Sequence, residues 1–199
     1  MRNYQCLRLD SLGTIHYGSA IKAEKITSKP TNTKIIRAHD FSSEGINWDA
    51  CKFTDSGLLR KPYFLKENDI LFSNRNKGGN AVLVDDAINH ENEVIAAVLA
   101  YIIRCDANKI RPEFLAWWLN QEPAQEYFNS KAKGPVISRE ILEETPIPVP
   151  QLKIQNELLA EYAVLKKEAD KRISIMNEVA TRVQGKTSPM SSRYSSFHI

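Results

Sequence analysis

Two short segments of the sequence carry side chains that suit hydrogen bonding to nucleic-acid bases and phosphates. The first, S-N-R-N-K-G-G-N at residues 73–80, contains Asn74, Arg75, Asn76 and Lys77. Arginine can fork two hydrogen bonds onto a guanine edge, and asparagine can do the same on adenine. A polar, glycine-bearing segment between apolar runs is also typical of a solvated turn, and the residues alone favour that simpler interpretation.

The second segment is K-A-K-G-P-V-I-S-R-E at residues 131–140. Lys131, Lys133 and Arg139 would neutralise phosphates, while Ser138 is placed to cap a short helix whose N-terminus attracts an anion. This segment too would be a solvated loop if nothing else pointed to a ligand.

Catalytic or metal-binding spacing is missing from the sequence. No serine stands in G-x-S-x-G, and the adjacent Asp85 and Asp86 are best interpreted as a solvated turn. The histidines lack the HxxxH or HExxH spacing of a metal site, since they are scattered at His16, His39, His90 and His198. We therefore expect no catalytic residue, no cofactor and no metal.

Composition describes an ordinary globular chain. Hydrophobic residues make up 42% of the 199 residues and the net charge is only +3, so any basic footprint has to be local. Cys6, Cys51 and Cys105 are far apart and odd in number, which favours reduced thiols. With no apolar run long enough to span a bilayer and no signal peptide, we expect a cytoplasmic protein without a membrane partner.

Short apolar runs separated by turn residues predict strands through the first two thirds of the chain. Strands are expected at residues 35–38 and 46–48, and a hairpin from 70–72 and 81–84. One central strand is expected over 94–104, although the pattern of this continuous apolar run also fits a buried helix. From Pro112 the period changes, and short helices are expected over 112–120, from Pro123, and over 139–144. The fold class predicted is α+β, a twisted mixed β-sheet with short helices, followed by one long C-terminal helix.

The long helix is the strongest signal in the chain. Pro146, Pro148 and Pro150 favour an extended entry, and no further Pro or Gly occurs until Gly185. A helix over residues 152–184 would be roughly 50 Å long at ~1.5 Å per residue. We divide the chain into a globular domain at 1–145, the entry and long helix at 146–184, and a disordered tail at 185–199.

One face of this helix is apolar. From Ile154 to Val183 the apolar residues recur every three or four positions, and the opposite face is charged. A narrow stripe of this kind favours a helix–helix seam, although packing of the helix on its own domain would also use it. The remaining members of the stripe are Leu158, Tyr162, Leu165, Ala169, Ile173, Met176 and Ala180.

The order of motifs resembles a target recognition domain of a type I restriction–modification specificity (S) subunit. The motifs are I-I-R-A-H-D-F, L-K-E-N-D-I-L-F-S-N-R-N-K-G-G-N-A-V-L-V, I-R-P-E-F-L-A-W-W-L-N, and G-P-V-I-S before I-P-V-P-Q-L-K-I-Q. Asn68 replaces the family's usual glycine before Asp-Ile-Leu, a change that an Asn tolerant of left-handed backbone absorbs. Complete S subunits have two recognition domains and two long helices, so this chain resembles a half-subunit.

The resemblance implies a DNA-reading adaptor without catalytic activity of its own. Its partners would be double-stranded DNA, a DNA methyltransferase (modification) subunit and a restriction subunit. The long helix would form an antiparallel pair, here in a homodimer. The alternative is a scaffold that dimerises and binds methyltransferase subunits through the helix without reading DNA.

Overall fold

The computed structural model describes residues 4–74 and 80–186, with side chains as far as Arg182. The chain divides into two compact units, Met1–Asn156 and Glu157–Ile199. The strands described are β1 (Cys6–Arg8), β2 (Gly13–Tyr17), β3 (Thr33–Ile36), β4 (Phe41–Ser42), β5 (Gly45–Ile46), β6 (Lys52–Thr54), β7 (Ile70–Ser73), β8 (Asn80–Leu83), β9 (Glu93–Ala96), β10 (Ala100–Cys105) and β11 (Pro146–Pro148). The α-helices described are α1 (Pro112–Leu119), α2 (Glu122–Lys131), α3 (Arg139–Glu143) and α4 (Leu152–Lys186).

The central element of the first unit is an antiparallel sheet of four strands in the order β2-β10-β7-β8. The predicted hairpin is confirmed, because β7 pairs with β8 from Ile70 opposite Leu83 to Ser73 opposite Asn80. Asn68 enters this hairpin with a φ of 69°, the left-handed conformation expected of it.

A second sheet of three strands, in the order β6-β3-β9, is mixed. Strand β3 runs antiparallel to β6 and parallel to β9. Leu71 and Ile102 of the four-stranded sheet share one buried cluster with Ile36 and Val94 of the second sheet. The α+β class with mixed pairing is confirmed, with the strands divided between two main sheets.

The single strand predicted over residues 94–104 is wrong. The chain instead forms β9 and β10, which belong to different sheets, and turns between them at Val98 and Leu99. Leu99 has a φ of 80°, a left-handed conformation that costs a non-glycine residue about 1–2 kcal/mol. The turn is held from outside, since Val98 N–H donates to the Ser19 carbonyl (2.9 Å) and Asn74 N–H donates to the Leu99 carbonyl (3.1 Å).

The short helices pack against the four-stranded sheet through aromatic and amide contacts. Phe72 of β7 meets Phe128 of α2 edge-to-face, with ring centroids 5.2 Å apart. At the end of α1, the Asn120 amide accepts from Ala81 N–H (3.0 Å) and donates to the Ala81 carbonyl (2.8 Å). Ser138 caps α3 as predicted, since its Oγ accepts from Ile141 N–H.

The proline-rich entry forms a short strand rather than a free rod. Strand β11 pairs antiparallel with β1, and Ile147 is fully buried. At the start of α4, the buried Gln155 accepts from Arg111 N–H (2.7 Å) and donates to the Pro150 carbonyl (2.8 Å). These bonds fix the first turn of the helix within the first unit.

Helix α4 begins at Leu152, as predicted, and extends to Lys186, two residues beyond the predicted end. The predicted tail therefore starts inside the helix, and its residues 187–199 lie outside the described part of the chain. In the second unit the apolar stripe is exposed, as Leu165 (58%), Ile173 (55%) and Met176 (69%) illustrate. The side chain of Val183 falls outside the described residues.

Candidate nucleic-acid interface

Asn74, at the start of the first segment predicted to bind DNA, lies beside the second segment at one end of the four-stranded sheet. Ile137 N–H donates to the Asn74 carbonyl (3.0 Å), which joins the end of β7 to the loop before α3. The Tyr101 hydroxyl of β10 donates to the Ile137 carbonyl (3.2 Å). Arg75, Asn76 and Lys77 of the first segment lie outside the described residues.

We call this region the strand-end surface and define it as residues 17–19, 73–74, 97–100 and 136–139. Strand register places these segments together, because Tyr101 lies opposite both Tyr17 and Phe72. The turn after β9 adds a further segment, with Ala100 opposite Ser73. The surface thus collects the ends of β2 and β7, the start of β10 and the loop before α3.

Arg139 is the cation of the second segment that contacts a residue of this surface. Lys131 ends α2, with its Nζ 5.9 Å from the Tyr127 ring centroid, and Lys133 is exposed in the following loop. Arg139 donates from Nε to Glu143 (2.6 Å) while its guanidinium lies 5.4 Å from the Tyr17 ring centroid. The Ser138 hydroxyl is occupied as the cap of a five-residue helix, where it accepts from Ile141 N–H.

Gly18 allows β2 to pass from one sheet to the other at the strand-end surface. Its N–H donates to the Ala100 carbonyl (2.9 Å), whereas Ser19 N–H donates to the Ala96 carbonyl (2.7 Å) of the other sheet. A Cβ on Gly18 would lie 2.0 Å from the Ala97 carbonyl oxygen. Only glycine fits this crossing, and the crossing sets the position of Tyr17.

Sequence reasoning missed Tyr17 and Val98, which are exposed at this surface to 60% and 53%. Gly18 indicated the end of a strand, so the sequence did contain a signal that Tyr17 stands at a strand end, where side chains are often exposed. Val98 lay in the middle of an apolar run without glycine or proline, and nothing local indicated that it would be exposed.

A separate network of charged and aromatic side chains lies where β7 begins and β10 ends, away from the strand-end surface. The buried Asp69 accepts from both Nε and Nη2 of Arg104, each at 2.6 Å. The Arg104 guanidinium lies 4.8 Å from the Tyr63 ring centroid, and the His16 ring stacks on Tyr63 at 3.9 Å. Burial, with the positive charges of Arg104 and Arg139, lowers the pKa of His16, so this imidazole is neutral at pH 7.

Arg37 and Asp40 of the I-I-R-A-H-D-F motif also form a structural unit. The Asp40 carboxylate, which is 1% exposed, accepts from the backbone N–H (2.9 Å), Nε (2.8 Å) and Nη2 (2.8 Å) of Arg37. With its acceptors engaged in this way, the pair fixes the turn after β3.

Two further observations concern the residues that the structure describes. Within residues 4–74 and 80–186, no group of three or more His, Cys, Asp or Glu side chains is placed to hold a metal ion. In the same part of the chain, none of the helices combines the length and the apolar composition that a membrane span requires.

Comparison with known proteins gives the family. The type I restriction modification DNA specificity domain matches residues 1–172, which is most of the chain. The protein therefore belongs to the family of type I restriction–modification DNA specificity domains. Among curated proteins, no match was found.

Solved structures share the fold at low sequence identity. The HsdS subunit from Thermoanaerobacter tengcongensis matches with a TM-score of 0.70 and 15% identity, over 97% of this chain and 52% of that one. A chain from work on complex assembly and conformational transition of the type I R-M system also has a TM-score of 0.70, at 13% identity, over 98% of this chain and 52% of that one. The S subunit of the type I restriction-modification system from M. genitalium matches with a TM-score of 0.56 and 17% identity, over 92% of this chain and 44% of that one. This chain thus spans about half the length of the structures it matches.

Proposed function

We propose that residues 1–145 read double-stranded DNA, and that the chain acts as half of a specificity subunit. The observation that carries this proposal is the hydrogen bond from Ile137 N–H to the Asn74 carbonyl, which brings the start of the first candidate segment to the second at the strand-end surface. Asn74 is only 9% exposed, so its side chain is not available for the base contact expected of it. The second segment carries the cations Lys131, Lys133 and Arg139, of which Arg139 is paired with Glu143 (2.6 Å), and this excess of positive charge suits a polyanionic ligand. The chemistry would belong to the methyltransferase and restriction subunits, and this chain would supply the sequence preference.

The second part of the proposal is that residues 146–184 form the assembly element. The apolar stripe from Leu158 to Val183 would pair antiparallel with the same stripe of a second copy. Large apolar side chains exposed along a helix favour a protein partner, because water contact with them is costly. Among the described residues, the large exposed side chains of the stripe are those of Tyr162, Leu165, Ile173 and Met176.

A second row of exposed apolar side chains on α4 supports more than one partner. Val164 (59%), Ile175 (52%) and Val179 (53%) each precede a member of the stripe by one residue. At about 100° per residue they lie on an adjoining face. We propose that this second row contacts a methyltransferase subunit while the stripe contacts the second copy, and that the restriction subunit joins this assembly.

Salt-dependent binding of duplex DNA by the full chain tests the reading function. Replacing Lys131 and Lys133 with alanine is expected to weaken binding equally on all sequences. The negative slope of log K against log salt should become shallower by about two, because about 0.9 counterion is released per neutralised phosphate. Filter binding or fluorescence anisotropy at several salt concentrations measures both quantities.

A matched pair of lysines serves as the control. Lys66 and Lys109 are both exposed. Lys66 precedes β7 and Lys109 follows β10, so both lie at the strand ends that face away from the strand-end surface. Replacing both with alanine removes the same charge and should leave the salt slope unchanged. An unmodified chain that binds no duplex DNA at low salt, yet retains a methyltransferase, would favour the scaffold alternative instead.

The symmetry of the proposed dimer makes a prediction about the DNA target. Two identical chains paired through antiparallel helices present the same surface twice about a two-fold axis. Each recognition domain would then meet the same half-site on opposite strands, so we expect an interrupted palindrome. With a helix pair of roughly 50 Å, the domain centres would be on the order of 15 base pairs apart at about 3.4 Å per pair.

Methylation mapping in a host that carries this chain and its methyltransferase measures the target directly. An asymmetric bipartite motif would show that the chain works beside a different second half, and the homodimer would then be wrong.

A further inference from the structure

Apolar side chains are exposed together on the strand-end surface, next to its cations. Tyr17 (60%), Val98 (53%) and Val136 (45%) are all largely accessible. Exposed apolar groups beside a basic segment do not suit an apolar protein partner, since the cations would have to lose water. They suit a ligand that combines a polyanionic backbone with apolar groups at its centre, which is the character of a DNA groove.

Both Tyr17 and Val98 are held in place by their surroundings. The Tyr17 ring contacts both the Tyr101 ring, 5.4 Å away, and the Arg139 guanidinium, also 5.4 Å away. The backbone of Val98 is fixed by its bond to the Ser19 carbonyl (2.9 Å), and the next residue, Leu99, is bonded to Asn74. Fixed groups lose little conformational freedom on binding, so they are suited to specific contacts.

We infer that Tyr17 and Val98 contact base edges in the major groove and distinguish thymine by its 5-methyl group. This inference rests on the proposed DNA-reading function and adds specificity-determining residues to it. Thymine alone presents a methyl group in the major groove, and proteins recognise that group by apolar contact. Arg139, beside Tyr17, retains both Nη groups for the DNA, because among the described hydrogen bonds only its Nε is engaged.

The test uses the full chain and duplexes selected by it from a random pool. The best duplex is resynthesised with one thymine at a time replaced by uracil, which lacks only the methyl group. We expect at least one replacement to weaken binding about fourfold, which corresponds to ~0.8 kcal/mol for one buried methyl-sized group. At that position Val98→Ala or Tyr17→Ala should bind thymine and uracil duplexes equally.

Two control variants separate the methyl contact from general damage. Tyr17→Phe keeps the ring and should keep the discrimination. Leu58→Ala removes a side chain as exposed as Val98, at 53%, and should also keep the discrimination. Leu58 is away from the strand-end surface, at the other end of β3. It follows Thr54 of β6, which pairs with the first residue of β3. The last residue of β3, Ile36, is bonded to Ala97 of the strand-end surface.

The possible outcomes distinguish this inference from the function on which it rests. If the chain selects duplexes but no uracil replacement alters binding, or if both alanine variants retain the full discrimination, the inference is overturned and DNA reading stands. If the unmodified chain selects no duplex, the proposed function fails and the inference fails with it. Thermal unfolding of each variant confirms that the comparison is made on folded protein.

Discussion

The Asp69→Ala variant is expected to lose about 3 kcal/mol of its free energy of unfolding. Asp69 is 1% exposed and accepts from Arg104 Nε, from Arg104 Nη2 and from Lys66 N–H (2.8 Å). Removing one partner of a buried ion pair costs about 3–5 kcal/mol because it leaves the other charge buried without compensation. The lower end applies here because the Arg104 side chain is 33% exposed. Urea unfolding followed by circular dichroism measures the change.

An exposed pair of the same chemistry provides the control. Asp10 accepts from Arg8 Nη2 at 2.7 Å, yet the two side chains are 38% and 55% exposed. Asp10→Ala should therefore change the free energy of unfolding by less than about 1 kcal/mol, as is usual for surface ion pairs. Equal losses for Asp10→Ala and Asp69→Ala would show that burial does not set the strength of the Asp69 pair.

The regular elements were predictable because their signals are local. The long helix follows from a proline-free run of helix-forming residues, and its structure starts at the predicted residue, Leu152. The hairpin of β7 and β8 follows from two apolar runs around a polar turn. The turn at Val98 and Leu99 was not predictable, because Ser19 and Asn74, which are far away in the sequence, supply the hydrogen bonds that hold it.

The candidate site was predictable only in its charged part. Lys131, Lys133 and Arg139 stand out in a short segment, and the family resemblance favoured phosphate contact over a solvated loop for them. Valine is usually buried and tyrosine is intermediate, so the contacts proposed for Tyr17 and Val98 depend on an exposure that tertiary structure decides. The meeting of Asn74 with Ile137 is likewise a product of tertiary structure.

The largest expected effect on assembly comes from replacing apolar residues of the α4 stripe with lysine. The chain with Leu165→Lys and Met176→Lys is expected to be monomeric at micromolar concentration, while its first unit stays folded. In a two-fold dimer these two changes remove four apolar side chains from the seam. At roughly 1.5–3 kcal/mol for each buried side chain, the loss is roughly 6 kcal/mol or more. The dissociation constant would rise by about four orders of magnitude or more.

The control variant changes two charged residues on the face of α4 opposite the apolar stripe, with the same separation along the helix as Leu165 and Met176. Lys167 and Glu178 follow Leu165 and Met176 by two residues each, or about 200° around the helix. Lys167→Glu with Glu178→Lys preserves the net charge and removes only the exposed ion pair of Glu178 with Arg182, which contributes little. This variant should remain dimeric in sedimentation velocity. A monomeric unmodified chain at micromolar concentration would mean that the stripe does not join two copies. The interrupted palindrome would then lose its physical basis, because only a two-fold dimer requires both half-sites to be identical.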